Sequence, residues 1–361
     1  MTKTLNTAFA NLAFATALAA LLIAPVSAAE PQSHYTLVQS ALEKSVLPGF
    51  EALSKNAARL PDAVAAVCTK GDDAARDNLA SAFRDTVLAW AGVEYLRFGP
   101  LADGGRRERM SFWPDPRGIM NRQLRQLITS GDATVIDGGA LAKQSAAVQG
   151  LPALEVLITG KDAPLGPGEA AQFRCKLATA IAGNVKGLAQ ELTEEWNKAD
   201  GWKDKMLRPG SDNGTYKEPQ EAASELVKAL MVGFQLVADS EVKPRLDAKT
   251  AANFIGPFAK SGLTKDYFKA GIASLDQLYI AMALESYLTD DKVWVKNWVG
   301  GAWRTLKASD GAGGAIDAAS KDNAPPAQKV FDMASGIKKL VAAELSVAAG
   351  LTVGFNELDG D

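Results

Sequence analysis

Apolar side chains recur every three or four residues along most of this chain, and almost nowhere do apolar and polar residues alternate at period two. That pattern predicts an all-α fold, because it gathers each apolar set on one helix face and supplies no half-buried strand. The clearest case runs from about 73 to 98, where Phe83, Val87, Trp90, Glu94 and Arg97 follow one another at spacings of four and three. One predicted helix face therefore carries core residues for most of its length and charge in its last turn, before Gly99-Pro100 stops it. Further helical patterns span about 35–67, 121–129, 172–196, 221–237, 264–288, 293–306 and 330–349. Between the first two lies Trp113-Pro114-Asp115-Pro116-Arg117-Gly118, a rigid loop, since two prolines so close together forbid regular structure.

The stretch from Gly150 to Gly160 predicts a short helix of about two turns. Leu151, Leu154 and Ile158 form its apolar stripe, Pro152 suits a first turn, and Gly160 followed by Pro164 ends it. Glu155 borders that stripe, near a helix N-terminus that favours negative charge, and a carboxylate there needs a partner or a neighbouring cavity.

The chain opens with Lys3, an apolar run over 12–24 broken only by Thr16, and Pro25-Val26-Ser27-Ala28-Ala29. This predicts a cleaved secretory signal over 1–29 and a periplasmic mature protein. No Cys directly follows the run, and no later segment is apolar for the roughly 18 residues a span needs, so no stable membrane anchor is expected. The net charge of −3 has both signs interspersed, which gives no nucleic-acid or anionic-membrane surface. Two cysteines, Cys68 and Cys175, read in an oxidising compartment as one disulfide closing a loop of about a hundred residues, with two buried free thiols as the alternative. Between 200 and 219 the composition turns to Gly, Lys, Asp, Asn and Pro, which places a boundary between one helical bundle over 30–205 and a second over 206–361.

An internal repeat supports two such units. Ser40, Leu42, Lys44, Gly49 and Phe50 are matched 184 residues later by Ser224, Leu226, Lys228, Gly233 and Phe234. A second match sets Gly150 to Leu157 against Gly271 to Leu278, now offset by 121, so that 63 residues of the first half are missing from the second.

The frame Gly150, Pro152, Glu155 resembles the Gly-x-His-x-x-Glu signature of the imelysin-like family, with Pro152 at the His position. The run Trp90 to Pro100, with its acid Glu94 and its Arg97-Phe98-Gly99-Pro100, is similar to a second family segment, and 113–118 and 354–361 look like a subgroup of it. The resemblance implies paired helical bundles with a cleft between them, a common cysteine pair, a link to iron acquisition and an older classification as metallopeptidases.

The residues themselves bear on three kinds of chemistry. A zinc hydrolase needs about three protein ligands, usually with His, yet proline offers no donor and the single histidine, His34, lies just past the expected cleavage site. Carboxylates alone, Glu155 with Glu94, suit only a hard cation such as iron or calcium. Nucleophilic catalysis lacks both a Gly-x-Ser-x-Gly elbow and a base histidine. Trp90, Glu94, Arg97, Trp113, Asp115, Arg117 and Glu155 are the candidate ligand-binding residues, because a braced loop with charged tips and an aromatic platform fits a polar ligand. The expected function is thus non-catalytic binding of a small ligand, metal complex or peptide, with a metal-dependent peptidase and a structural protein with a filled cleft as rivals. In the structural case Glu94–Arg97 is a local ion pair, and Asp115 and Arg117 pin their loop to neighbouring helices.

Overall fold

The computed structural model describes residues 32–160, 164–247, 249–251, 254–309 and 327–354; the expected signal sequence over 1–29 and the acidic chain end from 355 lie outside them. Among the described residues every regular element is helical. The first half contains α1 (His34–Ala41), a π-helical turn (Leu42–Val46), α2 (Leu47–Ala57), α3 (Leu60–Thr69), α4 (Asp73–Ala91), α5 (Arg106–Met110), α6 (Ile119–Ser130), α7 (Leu151–Ile158) and α8 (Gln172–Asn197). After α9 (Trp202–Leu207) come α10 (Pro219–Gln235), a second π-helical turn (Leu236–Val242), α11 (Lys243–Leu246), α12 (Thr264–Met282), α13 (Val293–Ala308) and α14 (Ala327–Leu340).

Local sequence explains these boundaries. Asp72 caps α4 by accepting from Ala75 N at 2.8 Å, and Leu79, Phe83, Val87 and Trp90 then bury one stripe. Pro219 sits in the first turn of α10, where Glu218 and Glu221 close a capping box. The connection between α8 and α10 is ordered by Asn213: its Nδ2 donates to Lys205 O at 2.6 Å, and its Oδ1 accepts from Thr215 N and Tyr216 N at 2.9 and 3.0 Å.

Packing sorts the helices into two groups. α2, α3, α4 and α8 pack together, and α1, α10, α12, α13 and α14 form the other group. α1 thus packs on second-half helices while α2, which continues it, belongs to the first group. α4 against α12 joins the two, and buried residues of both share one continuous core. The cysteine pair is a disulfide between α3 and α8, with Cα atoms 5.9 Å apart and the two residues 107 positions apart in sequence.

The repeat is legible in one of its two matches. A Cβ on Gly49 would stand 2.8 Å from Val93 Cγ1, and one on Gly233 only 2.1 Å from Leu275 Cδ2, so matched glycines allow matched close approaches. The second match diverges: Gly150 precedes α7 as its N-cap, whereas Gly271 lies inside α12. There Asp276, the counterpart of Glu155, pairs with Lys307 at 2.9 Å.

Candidate functional site

The helix predicted over 73–98 ends at Ala91. Gly92 N reaches both Leu88 O and Ala89 O, at 3.3 and 3.2 Å, and Ser274 Oγ of α12 donates to Gly92 O at 2.6 Å, which closes the last turn. Val93, Tyr95, Leu96 and Phe98 are all buried, a set that no single helix stripe can present to one core. Trp90 accordingly is fully buried as a core residue and shares no helix face with Glu94 or Arg97.

Leaving the helix turns Glu94 toward the second half. The Tyr267 hydroxyl of α12 donates to Glu94 Oε1. Glu94 keeps part of its surface, but its carboxyl is raised above the ordinary value of 4.5 by desolvation, against the lowering effects of the Tyr267 hydrogen bond and the charges of Arg97 and Arg107. Glu241, in the second π-helical turn, faces the same place and is 7% exposed. Its carboxyl is raised well above 4.5 by burial and then by the charge of Glu94, with Arg245 one helical turn on acting in the opposite direction. Burial and these two acids also push the Tyr267 phenol up. Two desolvated carboxyls and a phenol, flanked by three guanidinium groups, thus form a polar cluster where the two helix groups meet.

A strap over 254–263 ties this cluster to the predicted motifs. Its Phe258, held at φ +54° and buried, stacks against Tyr267 with ring centroids 5.2 Å apart. Three residues on, Ser261 donates to Glu155 Oε1 twice, from N at 2.8 Å and from Oγ at 2.6 Å. Glu155, 5% exposed, is thereby satisfied within the fold. At the strap's start Trp113 Nε1 donates to Ile255 O at 3.4 Å, the Trp113 ring meets Phe254 edge-on at 6.3 Å, and Arg245 lies 4.8 Å over the Phe254 ring.

Asp115 has a local role. Its two oxygens accept from Ile119 N and Met120 N, each at 2.9 Å, and so cap α6, while Arg117 is exposed. The motif glycine is explained by contact: a Cβ on Gly150 would stand 2.2 Å from Met110 O and 2.5 Å from Arg109 O. Sequence reasoning named Glu94, Arg97, Trp113 and Glu155 but missed Tyr267, Glu241, Ser261 and Arg245. Open surface grooves among the described residues lie elsewhere, including one of about 890 Å³ beside the disulfide and one of about 450 Å³ between α8 and residues 136–142.

The Imelysin family model, the M75 peptidase class, matches residues 46–347. The chain belongs to the imelysin family. Among solved structures, an imelysin-like protein from Psychrobacter arcticum 273-4 superposes with a TM-score of 0.69 at 19% identity, over 89% of this chain and 97% of that one. A protein described as an iron-regulated protein A precursor from Parabacteroides distasonis ATCC 8503 gives 0.61 at 14% identity, over 90% and 95%. Both likenesses concern the fold. No curated protein matches.

The metal implied by the imelysin signature does not fit the residues that stand at the motif here. Pro152 brings no donor atom, Glu155 is occupied by Ser261, and among the described residues no three His, Cys, Asp or Glu side chains gather as a metal would need. Glu155 and Glu94 have separate partners.

Proposed function

We propose that this member of the imelysin family is an exported, periplasmic binding protein without peptidase activity, linked to iron acquisition, whose ligand is recognised at the Glu94–Tyr267–Glu241 cluster. The observation that carries this reading is the Glu94 carboxyl hydrogen-bonded to the buried Tyr267 phenol and desolvated together with the buried Glu241 where the two helix groups meet. Buried titratable groups with mutually raised pKa values cost stability, and they gather where binding or chemistry uses them. Carboxyl acceptors beside Arg97, Arg107 and Arg245 suit a small polar ligand or a metal complex that presents both donors and acceptors.

The structural reading also has an observation in its favour: Glu94, Glu155 and Asp115 all have partners inside the fold. Calorimetry of the mature protein with ferric, ferrous, zinc and calcium ions and with ferric citrate, beside Glu94→Gln and Glu241→Gln, separates the two. Stoichiometric binding of at least one probe, weakened tenfold or more in both variants, is expected. Wild-type protein that takes up none of them contradicts the binding reading, and chelator-sensitive peptide cleavage abolished by Glu155→Ala would reinstate the peptidase.

A further inference from the structure

The groove of about 450 Å³ between α8 and residues 136–142 has the size of a small-molecule site, and the cation that lines it is Arg109 of α5. Arg109 is half-buried, and its Nε donates to Gln149 Oε1 at 2.9 Å. Gln149 is 1% exposed and binds on three sides. Its Nε2 donates to Ala142 O and Gln144 O at 3.3 and 2.5 Å, and its backbone O accepts from Asn184 Nδ2 at 3.0 Å. One buried amide thus fixes the arginine, the far wall of the groove and α8 in a single frame. The motif glycine next in sequence lets α5 come this close, since a Cβ on Gly150 would stand 2.5 Å from Arg109 O.

This frame leaves the end of the guanidinium uncommitted. Arg109 enters no ion pair among the described residues, and with Nε engaged its two Nη groups remain as a planar fork. The acids at hand are taken: Glu191, which also lines the groove, is held by Arg106 at 2.5 Å, and Glu108 pairs with Arg107. Asp137 lines the neighbouring groove beside the disulfide instead of this one. Asn184, with its Nδ2 spent on Gln149, presents Oδ1 as an acceptor. Gly183 and Gly187, inside α8, line the groove too, and a Cβ on either would meet nothing within 4 Å. No packing contact keeps them bare, yet a side chain at either would stand in the groove.

We propose that this groove binds a small organic carboxylate that carries a hydroxyl or amino group beside its carboxylate. The Arg109 fork offers two parallel N–H donors to the two carboxylate oxygens, which is the geometry that guanidinium groups match best. Asn184 Oδ1 accepts from the hydroxyl or amine, and Ile136 and Leu141 cover the carbon skeleton. Inorganic phosphate would meet the fork but leave the apolar wall unused, and a plain alkyl carboxylate would gain nothing from Asn184. The groove shares no residue with the Glu94–Tyr267–Glu241 cluster, so this inference is independent of that site.

The test is calorimetry of the mature full-length protein with malate, citrate and glutamate, beside propionate and inorganic phosphate. At least one of the first three should bind with one-to-one stoichiometry, about tenfold or more tighter than propionate and phosphate. Arg109→Lys, which keeps the charge and loses the fork, should weaken that binding about tenfold or more. Gly187→Leu fills the groove from an exposed helical site and should abolish binding without lowering Tm, which separates a blocked site from a damaged fold. Absence of binding by all three acids overturns the proposal, as does binding that survives both substitutions. Phosphate bound as tightly as the acids would reduce the site to a general anion contact and overturn it too. So would binding lost in Glu94→Gln and kept in Arg109→Lys, which would move the ligand to the polar cluster.

Discussion

At the scale of the residue, Glu155 illustrates how a motif position can persist with different work. In the imelysin signature it stands three residues after a histidine; here Pro152 replaces that partner and Ser261 supplies two donors to one oxygen. Glu155→Ala removes both bonds and leaves the half-buried Ser261 N–H without its acceptor, so a loss of about 1–3 kcal/mol is expected in denaturant unfolding. A double-mutant cycle with Ser261→Ala should return a coupling of about 1 kcal/mol or more. Additive single effects would mean the latch is not where Glu155 acts. Glu155 was legible in the sequence as a buried acid in need of a partner. Ser261 was not, because it lies 106 residues away on a strap without periodicity.

At the scale of the element, helix ends decided what could be foreseen. Length and face of α8, α10 and α13 followed from apolar spacing, since long amphipathic runs leave few alternatives. The end of α4 did not, although Gly92 and the adjacent buried pair Tyr95 and Leu96 were the available signal that the stripe had broken. Glu241 was hidden for a related reason: the predicted helix stopped at 237, whereas the chain continues through a π-helical turn to Val242 and aims Glu241 inward. Asp115 belongs to this scale too. Asp115→Ala strips two acceptors from the N-terminus of α6 and should cost about 1–2 kcal/mol, read as a shift in the unfolding midpoint, with no direct effect at the polar cluster. Reducing Cys68–Cys175 frees a loop of 107 residues between α3 and α8 and should cost about 2–5 kcal/mol, seen as a lower Tm in reductant.

At the scale of the whole molecule, the two helix groups meet at α4 and α12, and the desolvated acids stand at that meeting. Glu94 and Glu241 have raised pKa values in the folded state, so the folded protein holds protons that the unfolded chain releases. Their contribution to stability is complete below the ordinary carboxylate value of 4.5 and is lost as pH rises through the raised values. A cluster kept for binding carries that cost; one kept as a staple repays it. The most direct measurement is thermal unfolding of wild type and Glu94→Gln/Glu241→Gln from pH 4 to neutrality. A wild-type Tm that declines across this range, beside a double variant with a flatter profile and equal or higher stability at neutral pH, is the predicted result. A double variant that is several degrees less stable at neutral pH with an unchanged slope would contradict it and make the acids a fastening of the fold.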